Sequence, residues 1–247
     1  MKLKQRFKKL GTLVAAILTF VAATAAALAE GTSKTAVVSF GLSGQQDVFR
    51  SEATGAASIV ANRFGGDPVI VRFNTRKSSD ATIEALSATL ETAGKRIGSN
   101  TAGVLFLILT SHGSPDGLDV TVGRKSTTLT PLRLTGMLNR AGVQYKVVII
   151  SACYSGVFIP QLATTDTLVI TAADANHPSF GCEERAKWTY FGDAFFNVAL
   201  RRSKTLRDAF TLARSLILKR ELRNGFEPSH PQMAGGANVE PLLVPRR

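Results

Sequence analysis

Two residues that could act as a nucleophile and its base follow long apolar runs of the sequence. His112 comes three residues after the run 103–109, and Cys153 comes three residues after the run 147–150. A cysteine attacks a carbonyl carbon as the thiolate, and a free thiol with a pKa of about 8.5 is only slightly ionised at neutral pH. An adjacent imidazolium favours the thiolate, and histidine can then protonate the leaving amine. The pair therefore predicts nucleophilic catalysis at a carbonyl group.

Both apolar runs have the pattern of strands that are buried on two faces. Residues 103–109 and 147–150 show no alternation of polar and apolar positions, which is typical of a parallel sheet covered by helices. A proline at position 131 marks the start of a crossover helix between them. If the two strands are neighbours, His112 and Cys153 leave the sheet at the same edge, where the sites of open parallel sheets lie.

The surroundings of the pair can also hold a developing negative charge. Gly113 leaves the backbone room for a close approach, and the amides of Gly113 and Cys153 are candidates for an oxyanion hole. A donor of this kind is worth roughly 3–4 kcal/mol in enzymes from which it has been removed. Taken singly, His112 would be an ordinary loop residue and Cys153 an inert core thiol. Their joint position after two buried strands carries the prediction.

The rest of the chain predicts alternating strands and helices. Further strands are predicted at residues 36–40, 69–73 and 167–171, and a small hairpin at 118–129. Helices are predicted at 47–62, 80–93 with Asp80 as the cap, 131–141, 191–202 and 205–223 with a capping box of Thr205 and Asp208. Residues 225–247 are predicted to form a loop. This order predicts an α/β fold, a single-domain three-layer α/β/α sandwich with a mainly parallel sheet.

The first thirty residues have the pattern of an export signal. Five lysines and arginines precede an uncharged segment, residues 10–29, which closes with Ala27-Leu28-Ala29. We expect a secretory signal peptide over residues 1–29, cleaved after Ala29. The segment has the form of a bacterial signal peptide, so we expect residues 30–247 to form a periplasmic or secreted domain. The alternative is an uncleaved anchor in the inner membrane, because an uncharged segment of this length can just span a bilayer.

The net charge also depends on this segment. The 30 Lys and Arg residues against 18 Asp and Glu give +12, a value typical of proteins that bind nucleic acid or an anionic membrane. Removal of residues 1–29 takes away five positive charges, and the remaining +7 (12 − 5) is spread over helices and the C-terminal arginine pair. We therefore expect no nucleic-acid partner, and contact with a membrane only if the N-terminal segment is retained.

The sequence contains no convincing cofactor or metal motif. Gly41 and Gly44 follow a predicted strand, but the third glycine of a dinucleotide loop is missing. No group of histidines, cysteines and acids has metal-ligand spacing, and two cysteines are too few for a disulfide scaffold. We expect neither a cofactor nor a metal.

The sequence around both residues resembles the C13 family of cysteine peptidases, which includes legumains (asparaginyl endopeptidases) and the catalytic subunit of the GPI transamidase. The similarity rests on Ser111-His112-Gly113-Ser114 and Ser151-Ala152-Cys153-x-Ser155-Gly156, and extends through residues 171–174, 179–182 and 189–193. It implies a caspase-like α/β/α fold, a His112–Cys153 dyad and Gly113 in the oxyanion hole. It also implies a legumain-like endopeptidase that hydrolyses protein or peptide substrates through an acyl-enzyme.

The resemblance extends less fully to the substrate pocket. Arg50, Ser151, Ser179 and Asp193 fall at or near positions that hold the substrate asparagine in legumains. An arginine and a carboxylate can bind a small polar side chain, so asparagine or aspartate is the expected residue before the scissile bond. Two positions depart from the pattern: Ser51 follows Arg50 where legumains have histidine, and Ser151 stands where they have glutamate. Arg50 could equally be a solvated charge of its helix.

Other interpretations stay open at this point. The same dyad would serve a transamidase or peptide ligase, in which an amine instead of water takes the acyl group. The fold could also belong to a non-catalytic binding protein or to a basic protein that binds nucleic acid or membrane surfaces. A disulfide between Cys182 and Cys153 would abolish the dyad, whereas the family pattern favours a free thiol at Cys182 in the pocket wall.

Overall fold

The chain alternates between strands and helices, as the sequence predicts. The computed structural model describes residues 34–98 and 102–245. Its strands are β1 (Thr35–Gly41), β2 (Val69–Phe73), β3 (Val104–Thr110), β4 (Gly113–Ser114), β5 (Gly117–Val122), β6 (Lys125–Leu129), β7 (Tyr145–Ser151), β8 (Thr167–Thr171) and β9 (Gln232–Gly235). Its helices are α1 (Asp47–Phe64), α2 (Ile83–Ile97), α3 (Pro131–Ala141), α4 (Ile159–Leu162), α5 (Tyr190–Gly192), α6 (Leu200–Arg202) and α7 (Leu206–Arg223), with a π-helical stretch at Asp193–Ala199 and 3-10 turns at Ser155–Phe158 and Glu240–Leu242.

The signal peptide predicted over residues 1–29 lies outside the described residues. Within the described ranges, no helix is both long enough and apolar enough to cross a membrane. Of the domain predicted over residues 30–247, the described part begins at residue 34.

Six strands form one sheet in the order β2-β1-β3-β7-β8-β9. All neighbours in it are parallel except β8 and β9, which are antiparallel. The strands β3 and β7 pair side by side and are connected through α3, so the predicted crossover is confirmed. The predicted hairpin is also present, as β5 and β6 of a small antiparallel sheet that begins with β4.

Successive residues of the central strands enter two separate hydrophobic cores, because strand side chains alternate between the faces of a sheet. On β3, the side chains of Leu105, Leu107 and Leu109 belong to the core shared with α2 and α3. Those of Phe106 and Ile108 belong to the core on the other face, shared with α1 and α7. Helices thus cover both faces of a mostly parallel sheet, and the predicted α/β/α sandwich is confirmed.

Threonine hydroxyls cap the first turn of three of the longer helices. Thr82, Thr130 and Thr205 precede α2, α3 and α7, and each side chain accepts a hydrogen bond from the amide three residues later. The prediction of Asp80 as the cap of α2 is wrong. Its carboxylate accepts instead from the Ser78 hydroxyl at 2.7 Å, before the helix begins.

The prediction of a loop over residues 225–247 is wrong for residues 232–235 and for the 3-10 turn at Glu240–Leu242. Residues 232–235 form β9, whose backbone pairs with the edge of β8. This segment is short, and it ends in glycine, so local pattern does not mark it as a strand. The unpaired edge of β8 provides the hydrogen-bond partners that stabilise it.

Two helix glycines differ in their surroundings. An added Cβ on Gly94 of α2 would overlap the carbonyl oxygen of Ala141 at the end of α3. We expect Gly94→Ala to lower the free energy of unfolding by about 1–3 kcal/mol, because the two helices must move apart. Unfolding in denaturant, followed by circular dichroism, measures the change.

Gly136 of α3 supplies the matched control. The nearest atom to an added Cβ there is the flexible end of Arg140, at 3.5 Å. Gly136→Ala should raise the free energy of unfolding by about 0.5–1 kcal/mol, since alanine is the better helix former. A stabilised Gly94→Ala protein would contradict the packing argument.

Candidate active site

The histidine and the cysteine lie at equivalent positions beyond β3 and β7. The last residues of these strands, Thr110 and Ser151, stand opposite each other. The Ser111 amide donates a hydrogen bond to the Ser151 carbonyl at 3.2 Å. His112 and Cys153 each follow two residues after the paired strand ends, and both are partly exposed. The strand register thus brings a base and a thiol to the same edge of the sheet.

Gly113 allows the two strand ends to approach each other closely. An added Cβ at this position would overlap the carbonyl oxygen of Cys153 and come within 3.2 Å of the Ala152 side chain. Any other residue would push the segments apart. Gly113 and Cys153 therefore lie side by side, and the predicted oxyanion hole requires such an approach.

The imidazole of His112 is oriented by the residue before α1. Its Nε2 lies 2.8 Å from Oε1 of Gln46, and the ring of Phe49 packs edge-on against it at 4.9 Å. An amide oxygen at this position favours the tautomer with its proton on Nε2, in which Nδ1 is the basic nitrogen. Burial lowers the pKa of His112, and the charge of Asp119 partly opposes this. The neutral imidazole is the form that can take a proton from a thiol.

The sulfur of Cys153 lies against Ser179, in the loop between β8 and α5 (residues 172–189, the β8–α5 loop). The Ser179 amide donates to Sγ at 3.3 Å, and the thiol can donate to the Ser179 carbonyl at 3.3 Å. The Ser179 hydroxyl is 3.8 Å from the sulfur. Of the predicted pocket residues, Ser179 is the one in direct contact with Cys153.

Two other predicted pocket residues have charged partners within the protein. Arg50 pairs with Asp47 of the same helix at 3.2 Å, and its side chain is 47% exposed. Asp193, at the start of the π-helical stretch, pairs with Arg220 of α7 at 3.3 Å. The arginine and the carboxylate are therefore engaged in separate ion pairs.

A buried glutamate that sequence reasoning missed connects both strand ends to the β8–α5 loop. Glu52 of α1 is 0% exposed. Its carboxylate accepts hydrogen bonds from the Thr110 hydroxyl at 3.0 Å and the Thr189 amide at 2.8 Å. The Ser151 hydroxyl is bonded to the same carboxylate and lies 3.1 Å from the Thr189 hydroxyl. Burial raises the pKa of Glu52, while these hydrogen bonds lower it.

A signal for Glu52 exists in the sequence. The residue lies four positions after Val48 and four before Ala56, so it falls on the buried face of α1. A carboxylate on a core-facing stripe is rare unless it has hydrogen-bond donors. Its donors come from β3, β7 and a distant loop, so the sequence alone does not identify them. A Cβ at Gly192 would overlap the carboxylate, which explains a glycine there.

Both cysteines are free, so the disulfide considered from the sequence is not formed. Cys182 belongs to the β8–α5 loop and is partly buried. Burial raises the pKa of its thiol to about 12, and the electrostatic influence of the nearby Cys153 and Glu52 side chains acts in the same direction. Cys182 is therefore a neutral thiol at physiological pH, which separates it chemically from a nucleophile.

Comparison with known proteins identifies both a family and a fold. The profile of the Peptidase C13 family matches residues 74–237, about two thirds of the chain, including His112 and Cys153 but not Arg50 or Glu52. Caspase-1 from Spodoptera frugiperda is a similar solved structure, with 14% identity and a TM-score of 0.53 over 83% of this chain and 87% of the caspase. At this identity the likeness shows a caspase-like fold alone. A search among proteins with curated descriptions finds no match.

The pKa values of His112 and His177 should depart from that of free histidine in opposite directions. His112 should titrate below free histidine because burial disfavours its charged form, and Asp119→Asn should lower its pKa further. His177 should titrate above free histidine because its ring nitrogen is hydrogen-bonded to Asp174 at 2.7 Å. Imidazole NMR shifts in the Cys153→Ala protein measure both values. A value for His112 above that of His177 would contradict the environments described.

Glu52 should influence the reactivity of Cys182. In the Cys153→Ala protein Cys182 is the sole remaining cysteine, so alkylation reports on it alone. Glu52→Gln removes a negative charge, and the thiol should react about threefold faster for each half unit by which its pKa falls. The rate of alkylation at fixed pH is the measurement.

Glu221 of α7 supplies a control, since it is also buried and accepts a hydrogen bond from a backbone amide, that of Ser229. Glu221→Gln should leave the alkylation rate of Cys182 unchanged. Equal rates before and after Glu52→Gln would show that the Glu52 carboxyl carries no charge.

Proposed function

Because the chain belongs to the Peptidase C13 family of cysteine peptidases, we propose that it is an endopeptidase whose catalytic dyad is His112 and Cys153. The observation that carries this proposal is the pairing of β3 with β7, with the two residues at equal distances beyond the paired ends. The orientation of His112 by Gln46 and the contact of Cys153 with Ser179 support it.

Acylation uses the basic nitrogen of His112. Nδ1 takes the thiol proton, and Sγ of Cys153 attacks the carbonyl carbon of the scissile peptide bond. As the C–S bond forms, the carbonyl electron pair moves to oxygen, where the amides of Gly113 and Cys153 can donate to it. The C–N bond then breaks, and the imidazolium gives its proton to the departing amine. The product is a thioester on Cys153.

Deacylation reverses these roles with water in place of the amine. His112 takes a proton from the water molecule that attacks the thioester carbonyl, and the same two amides hold the second oxyanion. The C–S bond breaks, and the sulfur recovers a proton from the imidazolium. Throughout both steps the proton on Nε2 is donated in a hydrogen bond to the amide oxygen of Gln46, so the ring keeps its orientation.

Asparagine or aspartate is the proposed residue on the acyl side of the scissile bond. Ser179 presents polar groups beside Cys153 that can hydrogen-bond a small polar side chain. Arg50 would have to leave Asp47 to reach a substrate carboxylate or amide. That ion pair is exposed and is worth at most about 1 kcal/mol, so a substrate can compete for the guanidinium.

We further propose that residues 1–29 export the protein. The basic start and uncharged segment favour a cleaved signal peptide. The domain that follows would act in the periplasm or outside the cell, on protein or peptide substrates that it meets there. A retained segment would instead anchor the domain to the inner membrane.

Removal of the proposed nucleophile should abolish turnover. Cys153→Ala should lower kcat on a peptide substrate by about 10⁶-fold, the order observed when a covalent nucleophile is deleted. A thiol-directed probe with an electrophilic carbonyl should label the unmodified protein at Cys153. Kinetics on a peptide library and mass spectrometry of the labelled protein provide the measurements.

The second cysteine is the matched control. Cys182→Ala should retain labelling and turnover, since Cys182 is a neutral thiol with no role in the proposed steps. Undiminished cleavage by Cys153→Ala would refute the dyad, and failure of the probe to react would favour a non-catalytic binding protein. Joined product on addition of an amine nucleophile would indicate a transamidase or ligase.

A further inference from the structure

A polar groove of about 430 Å³ opens beside Gln46, the hydrogen-bond partner of His112. Three connections form its walls: residues 44–46 between β1 and α1, residues 75–76 after β2, and residues 121–124 at the β5–β6 hairpin. Gln46 belongs to the first wall, and the same side chain holds Nε2 of His112 at 2.8 Å. The groove therefore begins one side chain away from the proposed general base.

The groove is cationic. Arg76 and Arg124 line it, and its lining includes no carboxylate. Arg76 donates to the Gln45 carbonyl at 3.2 Å and pairs with Glu184 at 2.7 Å, in an ion pair whose partners are both more than half exposed. Within residues 34–98 and 102–245, no acid lies within salt-bridge distance of Arg124. At least one guanidinium in the groove is available to a ligand.

The order of the strands indicates which part of a substrate reaches this groove. Two walls of the groove follow β1 and β2, and the third, the β5–β6 hairpin, is bridged to Ser43 just after β1 through Thr121. Ser179 belongs to the loop that follows β8, which contacts the groove through the exposed ion pair of Glu184 with Arg76. His112 and Cys153 leave the sheet between these two regions, from β3 and β7. His112, which is nearer the groove, must protonate the departing amine. The part of the substrate that leaves with that amine therefore passes on the groove side.

We propose that the groove lined by Arg76 and Arg124 is a subsite for a carboxylate in the leaving segment of the substrate. This inference rests on the proposed function and adds a substrate class to it: peptides with an acidic residue, or a free C-terminal carboxyl, shortly after the scissile bond. Guanidinium groups match carboxylates through paired N–H donors. Because both arginines are exposed, the selection is modest and weakens with added salt.

The test compares peptides that differ only after the scissile bond. All share one acyl side, and their leaving segments carry either Glu or Gln with an amidated C-terminus, or Gln with a free carboxyl. We expect kcat/KM to be about three- to tenfold higher for the Glu peptide than for the Gln peptide at low ionic strength. The third peptide separates a side-chain carboxylate from a terminal one as the preferred source.

Variants connect the preference to the groove. Arg124→Gln should reduce the Glu-to-Gln ratio towards one, and Arg124→Glu should favour a Lys leaving segment instead. Arg207→Gln is the matched control, because this arginine is exposed on α7 and pairs with Glu240 away from the groove. It should leave the ratio unchanged. A Glu-to-Gln ratio of kcat/KM near one in the unmodified protein would refute the proposed subsite. A ratio that stays the same in Arg124→Gln would also refute it.

Two further measurements separate this inference from the function on which it rests. A substrate with the same acyl side and a small fluorescent amine as its leaving group tests the dyad without a leaving segment. Cleavage of this substrate with no Glu preference among the peptides rejects the subsite and retains the peptidase. A preference for acid on the acyl side, lost in Arg124→Gln, also rejects the proposed placement.

Binding supplies a readout that needs no turnover. A labelled acidic leaving-segment peptide should bind the Cys153→Ala protein more tightly than its Gln counterpart, as followed by fluorescence anisotropy. Arg124→Gln in the same background should remove that difference. Equal binding of the two peptides would overturn the subsite even if no substrate is cleaved.

Discussion

Seven paired positions between β3 and β7 determine where the histidine and the cysteine leave the sheet. A slip of one residue would displace one strand end by about 3.3 Å relative to the other. It would also turn the side chains of that strand to the opposite core, since successive residues face opposite sides. The two hydrophobic cores therefore oppose any such slip. Packing far from the site keeps a base and a thiol at one edge of the sheet.

Burial has different consequences for the ionisable groups near that edge. It lowers the pKa of His112 and raises that of Cys182, so both environments favour the neutral forms. Glu52 is more deeply buried than either, yet three donors from separate segments surround its carboxylate. A carboxylate in that position connects α1 to both strand ends and to the β8–α5 loop. The site thus combines an uncharged base with a buried, hydrogen-bonded acid beneath it.

Much of the fold could be predicted from local pattern. The unbroken apolar runs before His112 and Cys153 indicate buried parallel strands, and the structure contains both as neighbours. The errors fall where pattern is weak: Asp80 and Thr82 are both plausible caps, and the four residues of β9 carry no strand signal of their own. In each case a partner distant in sequence, or the geometry of a neighbouring turn, decides the outcome.

Residue type and order along the chain were enough to identify the candidate nucleophile and its base. They also carried the resemblance to a family and indicated the α/β/α architecture. Tertiary structure alone decided the partners of each group: Gln46 on His112, Ser179 on Cys153, and donors of Thr110, Ser151 and Thr189 on Glu52. It also directed Arg50 to Asp47. The physical reason is that hydrogen bonds and ion pairs depend on distances of a few ångströms between segments that lie far apart in sequence. Those distances arise only when the two cores assemble on the sheet.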